Sequence, residues 1–185
     1  RVVALMPPQT DPVTSSLVFF LAAVIHLALA LLIVFRARRT PGALPMALLC
    51  VALFVWDMGE AAHAVFSERR WKYVGLIGSS MAPAFLFHFV VIFVRREKNL
   101  RLVAGALYFV TLLFTGMTAA ALYSGRARGW VDGRAWNIGY LAALFPFLLA
   151  SLLLLRRRQR EVEAPIERNA LNFIATGIGG GALTG

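Results

Sequence analysis

The chain has 185 residues, of which 59% are apolar and only 15% are charged, and its formal net charge is +10. A soluble domain of this length does not need several apolar runs of about 20 residues each, the length that crosses a bilayer core as a helix. The composition therefore excludes an ordinary soluble globular protein and indicates a polytopic membrane protein.

Six apolar runs alternate with arginine-rich loops. Because backbone polar groups in lipid must be satisfied within each segment, we predict an all-α fold, a polytopic membrane helical bundle. Short links such as residues 40–42 make sequential helices antiparallel neighbours, which gives an up-and-down bundle. The predicted spans are 14–35, 42–66, 72–94, 100–123, 137–155 and 169–185. The sixth run is cut off at Gly185, so we expect residues 1–185 to be one incomplete domain of a longer chain with seven spans.

The basic residues are distributed unevenly between the two sides of this bundle. Seven of the 19 fall on the side that holds the second and fourth loops. The other twelve follow the first, third and fifth spans: Arg36, Arg38, Arg39, Arg95, Arg96, Lys98, Arg101, Arg156, Arg157, Arg158, Arg160 and Arg168. The positive-inside rule places these twelve in the cytoplasm and the N-terminus outside. We expect the arginines to contact anionic lipids rather than nucleic acid.

Ionisable residues inside a span are costly, and three of them lie on the second span at intervals of three residues. Asp57, Glu60 and His63 form one stripe on a helix, with Asp57 roughly 14 Å below the outer end. Two interpretations remain open for Asp57. It is either part of a ligand or proton site, or a polar staple that is protonated or bonded to a neighbouring helix. Glu60 and His63 are either part of the same site or a hydrated helix end.

Two further histidines lie within spans, His26 in the first and His88 in the third. Axial haem ligation needs two histidines at matching depth, whereas helical rise puts His26 about 18 Å and His88 about 24 Å from the outer ends. We therefore predict no haem or other cofactor, and we expect neutral histidines bonded within the bundle. His88 stays a candidate for the ligand or proton site. The sequence contains no metal-spaced cluster and no catalytic motif, so we predict neither a metal site nor an active site.

Tryptophans and glycines supply the remaining candidates. Trp71, Trp130 and Trp136 fall near the outer interface, where they either anchor the helices in the membrane or roof a ligand pocket; Trp56, Trp71 and Trp130 are the candidate pocket lining. Small residues at four-residue intervals permit close helix approach, within the bundle or at a dimer seam. They are Gly177, Gly181 and Gly185.

Two local patterns carry a family resemblance. Residues 56–63 read WDMGEAAH in the second span, and residues 81–89 read MAPAFLFHF in the third, which begins with WKYVG at 71–75. Together with an outside N-terminus, they resemble the N-terminal seven-helix sensor region of bacterial membrane histidine kinases. That family carries Trp-x-x-Gly followed by an acid in the second helix; here the aligned position holds His63, with Glu60 one turn earlier. The resemblance implies a non-catalytic sensory module that spans the bacterial inner (cytoplasmic) membrane several times. It also implies a homodimer, and cytoplasmic kinase domains that follow the module.

We therefore expect a transmembrane sensory input domain of a signal-transduction protein, a histidine kinase by resemblance. It would bind an unidentified small ligand in its outer half and relay the signal to a cytoplasmic output domain. Two alternatives use the same residues differently. One is a membrane subunit of a transporter or ion-translocating complex, with the carboxylates as a relay, and the other is a haem- or quinone-binding electron-transfer subunit.

Overall fold

The chain folds as a bundle of long helices. The computed structural model describes residues 12–95, 97–162, 168, 169, 171, 172, 174 and 176. Within this part of the chain all regular structure is helical, and the α-helices are α1 (Pro12–Leu32), α2 (Ala43–Phe66), α3 (Arg69–Phe93), α4 (Glu97–Ala121), α5 (Gly125–Val131) and α6 (Arg134–Glu161). A π-helical turn, Ile33–Ala37, extends α1 into the first arginine cluster.

Five of these helices are long and apolar enough to cross a bilayer: α1 with its π-helical turn, α2, α3, α4 from Leu100 onward, and α6. This confirms the predicted all-α membrane bundle. The fifth predicted span, 137–155, is shorter than α6, because the helix continues through the arginine run whose long side chains favour helical structure. Most of the sixth predicted span, including Gly177, Gly181 and Gly185, lies outside the described residues. Leu171, one of the described residues of this span, is buried among Val90, Val94 and Leu155.

Helix α3 is the centre of the bundle. It packs against α2, α4 and α6, and α6 packs more extensively against α3 than against α4, its long neighbour in the sequence. A core cluster joins Phe87 and Val91 of α3 to Leu107 of α4 and Leu144 of α6. Sequential packing, as predicted, therefore describes α1 to α4, while α6 reaches back to α3.

Helices α2 and α3 touch through their backbones. A Cβ atom built on Gly59 would lie 2.2 Å from the backbone nitrogen of Gly75, and one on Gly78 would lie 2.4 Å from the backbone nitrogen of Trp56. Neither position has room for a side chain, so these glycines allow the two helix axes to approach as closely as small residues permit in membrane bundles. We call Gly59, Gly75 and Gly78 the glycine seam.

The connection between α4 and α6 forms a cap at the end of the bundle that the charge distribution predicts to be outside, called the distal end below. Its short helix, α5, was not predicted. Arg128 of α5 donates from Nε to the carbonyl of Ala121 at 2.8 Å and from Nη2 to that of Leu122 at 3.0 Å. These bonds satisfy carbonyls that the end of α4 leaves without helical partners, and they fix α5 against α4.

Candidate functional site

A side-chain pair between two membrane-spanning helices is the main feature of the site. His26 of α1 and Asp57 of α2 meet with 2.7 Å between Nδ1 and Oδ2. The imidazole is 27% exposed and the carboxylate 13%. His26 is the only ionisable residue of α1. Among the described residues, the pair is therefore a polar link between α1, which is otherwise largely apolar, and α2.

The geometry of this pair requires a shared proton. Either the imidazole Nδ1–H donates to the carboxylate, or a protonated Asp57 donates to Nδ1. Binding or loss of one further proton changes the net charge of the pair by one unit in a region of low dielectric, where such a change is strongly felt. A cation near Asp57 would compete with His26 for the same oxygen. The arrangement can therefore respond to protonation or to a charged ligand by strengthening or weakening the contact between α1 and α2.

Glu60 and His63 continue from Asp57 toward the distal end. Glu60 is half-buried, and its Oε1 lies 3.1 Å from the point that a Cβ on Gly75 would occupy, so the carboxylate rests over the glycine seam. Within the described part of the chain it has no hydrogen-bond or ion-pair partner. His63 Nδ1 is 3.3 Å from the carbonyl oxygen of Glu68, in the turn that follows α2. The three residues of the predicted stripe thus have three different environments.

His88 belongs to another interface. Its Nδ1 is 2.9 Å from the hydroxyl of Tyr108 on α4, and the two rings meet edge to face. Both residues line a groove of about 680 Å³ between α3 and α4, together with Lys98, Arg101 and Gly105. The structure therefore places His88 with Tyr108 at the α3–α4 interface, while His26 is bonded to Asp57 at the α1–α2 interface.

The three candidate tryptophans have different surroundings. Trp56 is half-buried, with its backbone against Gly78. The Trp71 ring lies 6.3 Å from that of Phe66. Trp130 is 65% exposed and lines a shallow distal groove of about 600 Å³ with Trp136, Arg126 and Arg134.

The distal cap is joined to α3 through Asp132. Lys72 Nζ donates to Oδ1 at 2.7 Å, and the Tyr73 hydroxyl donates to Oδ2 at 2.8 Å. The hydrogen bond from Lys72 is the main reason that the pKa of Asp132 lies below its ordinary value, and the bond from Tyr73 acts in the same direction against partial burial. Asp132 therefore fastens the α5 region to the first turn of α3.

Among the described residues, no three His, Cys, Asp or Glu side chains lie close enough together to hold a metal ion. The polar side chains described above are instead arranged in pairs. Sequence reasoning missed the partners in these pairs: His26 for Asp57, Tyr108 for His88, and Asp132 for Lys72. One signal was present, because the estimated depths of His26 and Asp57, about 18 and 14 Å, differ by less than one helical turn.

Comparison with known proteins supports the resemblance seen in the sequence. No curated protein and no solved structure matches the chain at a significant level. A family model described as the N-terminal 7TM region of histidine kinase matches residues 18–178, a segment that contains both the His26–Asp57 and the His88–Tyr108 pairs. The match covers most of the 185 residues. The chain therefore belongs to the family of N-terminal seven-transmembrane regions of histidine kinases.

Proposed function

We propose that the chain is a transmembrane sensory input domain that relays a stimulus to a cytoplasmic kinase output, and that the His26–Asp57 pair is the element whose state the stimulus changes. The observation that carries this proposal is the 2.7 Å contact between the two side chains, each on a different membrane-spanning helix. The family match supplies the context of a histidine kinase.

The packing of α1 supports a role as the movable element. Only 11% of its apolar window is buried, against 44% for α2 and for α3. Among the described helices α1 packs on α2 alone, and the His26–Asp57 pair lies within that single interface, so a change in the pair acts directly on the contact that positions α1. Signalling requires a stimulus to discriminate between two helix arrangements, with a coupling typically worth about 1–3 kcal/mol. Gain or loss of a hydrogen-bonded ion pair in a membrane is of that size.

The surroundings of the pair determine which stimuli can reach it. Glu60 lies one turn farther along α2 toward the distal end and has no partner among the described residues. A proton or a small cationic ligand entering from the distal side would meet Glu60 first and then Asp57. With the N-terminus outside a bacterial inner membrane, this path opens to the periplasmic side, and a homodimer would carry the change to the kinase domains.

The test replaces Asp57 by Asn in the intact kinase and measures autophosphorylation in membrane vesicles over a range of pH. Asp57→Asn keeps the size of the side chain and a hydrogen-bonding oxygen but removes the ionisable carboxyl group. We expect kinase output that is fixed at one level and no longer responds to pH or to added cations. His63→Gln, on the same helix but bonded to a turn carbonyl, is the matched control and should keep the response. A normal response in Asp57→Asn, with the protein inserted and folded, would remove the pair from the signalling mechanism.

A further inference from the structure

The groove between α3 and α4 has a charged mouth and an apolar wall. Lys98 and Arg101 line it at the start of α4, and Val91, Ile92, Ala104 and Gly105 provide its apolar surface. The lining includes no carboxylate among the described residues. This distribution is complementary to a molecule with an anionic head and a hydrocarbon tail.

The position of the groove relative to the membrane agrees with that chemistry. The apolar part of α4 begins at Leu100, so Lys98 and Arg101 stand at the membrane boundary. Tyr108 lies about 12 Å farther along α4 and His88 about 8 Å inside the end of α3, by helical rise. Cations at head-group level above an apolar groove are the arrangement by which pockets between membrane helices bind anionic lipid head groups.

The inner end of the groove offers one more donor. Tyr108 and His88 satisfy one another through Nδ1, and Nε2 of His88 has no hydrogen-bond partner among the described residues. When the tyrosine hydroxyl donates to Nδ1, the proton of a neutral imidazole is on Nε2 and is available to an oxygen of a bound molecule. A carbonyl oxygen of a bound lipid that reaches the inner end of the groove would be a suitable acceptor.

We propose that this groove is a specific site for an anionic phospholipid, whose phosphate binds Lys98 and Arg101 and whose acyl chain lies along Val91, Ile92 and Gly105. A zwitterionic lipid carries an ammonium group as well and has no net charge to offer the two cations. The site is independent of the His26–Asp57 pair and of the proposed sensory role, and it narrows the general expectation of lipid contact at arginines to one groove.

Native mass spectrometry of the intact protein in detergent tests the charged end. The protein is titrated with dioleoyl phosphatidylglycerol or with dioleoyl phosphatidylcholine. We expect one phosphatidylglycerol to bind preferentially and the double variant Lys98→Gln/Arg101→Gln to weaken it about 30-fold, since each cation near the membrane surface is worth about 1 kcal/mol. Arg38→Gln/Arg39→Gln is the matched control, because it removes the same charge from exposed positions outside the groove.

A second pair of variants tests the apolar wall without changing charge. A Cβ on Gly105 meets nothing within 4 Å, and the same holds for Gly116 farther along α4, so a side chain at either position begins in open space. Gly105→Leu should weaken phosphatidylglycerol about tenfold by displacing roughly two methylene groups from the groove. Gly116→Leu, outside the groove, should leave binding unchanged.

Three results would overturn the proposal. Equal weakening by the two charge-removing double variants would mean diffuse attraction to the whole basic surface. Competition by inorganic phosphate, with no effect of Gly105→Leu, would mean a site for small anions rather than for a lipid. A changed ratio of monomer to dimer in Lys98→Gln/Arg101→Gln, with lipid binding unaffected, would mean that a second copy of the chain occupies the groove.

Discussion

The α2–α3 interface and the α1–α2 interface are held together in opposite ways. At the glycine seam two backbones are in direct contact, and a Cβ on Gly59 or Gly78 would fall within 2.5 Å of backbone atoms of the neighbouring helix. Between α1 and α2 the specific link is instead a pair of side chains, His26 and Asp57. The first interface depends on the close approach of two backbones. The second includes a contact between two ionisable side chains.

The two interfaces are therefore suited to different roles in the membrane domain. We expect α2 and α3 to behave as a rigid unit, because direct backbone contacts leave few alternative arrangements. Helix α1 is mostly exposed, and in the proposed mechanism its position against α2 depends on a contact that a proton or cation can change. A sensor needs both properties, since a stimulus must move one element against another that stays in place.

The largest effect is expected from breaking the glycine seam. Gly78→Ala puts a methyl group 2.4 Å from the backbone nitrogen of Trp56 and 2.5 Å from the carbonyl oxygen of Ala52, contacts that no rotamer change relieves. We expect a loss of about 3 kcal/mol in unfolding free energy, at the upper end for overpacking. Denaturant unfolding in mixed micelles measures it. Gly116→Ala, at an open position of α4, is the control, and equal stability of the two variants would show that the seam does not hold α2 against α3.

The His26–Asp57 link should contribute less to stability than the seam. A double-mutant cycle with His26→Ala and Asp57→Ala should give a coupling energy of about 1.5 kcal/mol, near the upper limit measured for polar contacts between membrane helices. Unfolding in micelles provides the four free energies. The same cycle with His63 in place of His26 should be additive within about 0.5 kcal/mol. Additivity for His26 and Asp57 as well would mean that the pair does not join the helices.

The distal cap should respond weakly and with a defined pH dependence. Asp132→Asn removes the ion pair with Lys72 and weakens the bond from Tyr73, at a cost of about 1 kcal/mol near neutral pH. Because the pKa of Asp132 is lowered in the folded state, its contribution is present above the ordinary aspartate pKa and is lost as pH falls through the lowered value. The difference in unfolding free energy between wild type and Asp132→Asn should therefore shrink as the pH falls. Glu68, whose pKa is lowered by Arg70, titrates in both proteins and cancels in the difference. A difference that is constant with pH would contradict this role.

The smallest effect is expected at the α3–α4 interface. Tyr108→Phe removes the hydroxyl that bonds His88 but keeps the ring, which also packs edge to face on Phe85. We expect a loss of about 0.6 kcal/mol, the average for a hydrogen bond between membrane helices. Unfolding in micelles is again the measurement, and Tyr123→Phe, at a fully exposed position, is the control. A loss as large as that of Gly78→Ala would mean that α3 and α4 depend on this bond as α2 and α3 depend on the seam.

The membrane bundle was predictable because apolar length is a local property. Five spans follow from runs of about 20 apolar residues, and only their ends shifted, as at α6, which extends to Glu161. Helix α5 escaped prediction because seven residues containing two glycines and two arginines have neither the length nor the hydrophobicity of a span.

The sequence could single out Asp57 as a candidate but could not identify its partner, and the reason is physical. Asp57 was found because a carboxylate within a span is costly wherever its helix faces. Its partner depends on the rotation of α1 about its own axis, and α1 is apolar on all sides, so the sequence does not indicate which face meets α2. The similar estimated depths of His26 and Asp57 were the one sequence feature that could have indicated their contact. The glycine seam likewise depends on how α2 and α3 face each other. The positions of glycines along two separate spans do not reveal that orientation.

Double electron–electron resonance tests most directly whether α1 moves against a rigid α2–α3 unit. Spin labels at Val18, near the start of α1, and at Leu44, near the start of α2, report the α1–α2 interface. Both positions are exposed. Labels at Leu44 and at the exposed Arg70 report the α2–α3 interface. Both doubly labelled proteins carry Ala in place of the buried Cys50. On introduction of Asp57→Asn, we predict that the Val18–Leu44 distance shifts by about 1–2 Å or broadens, as in helix shifts of known switches, while the Leu44–Arg70 distance stays unchanged. An unchanged Val18–Leu44 distance, or an equal shift in both, would contradict the account.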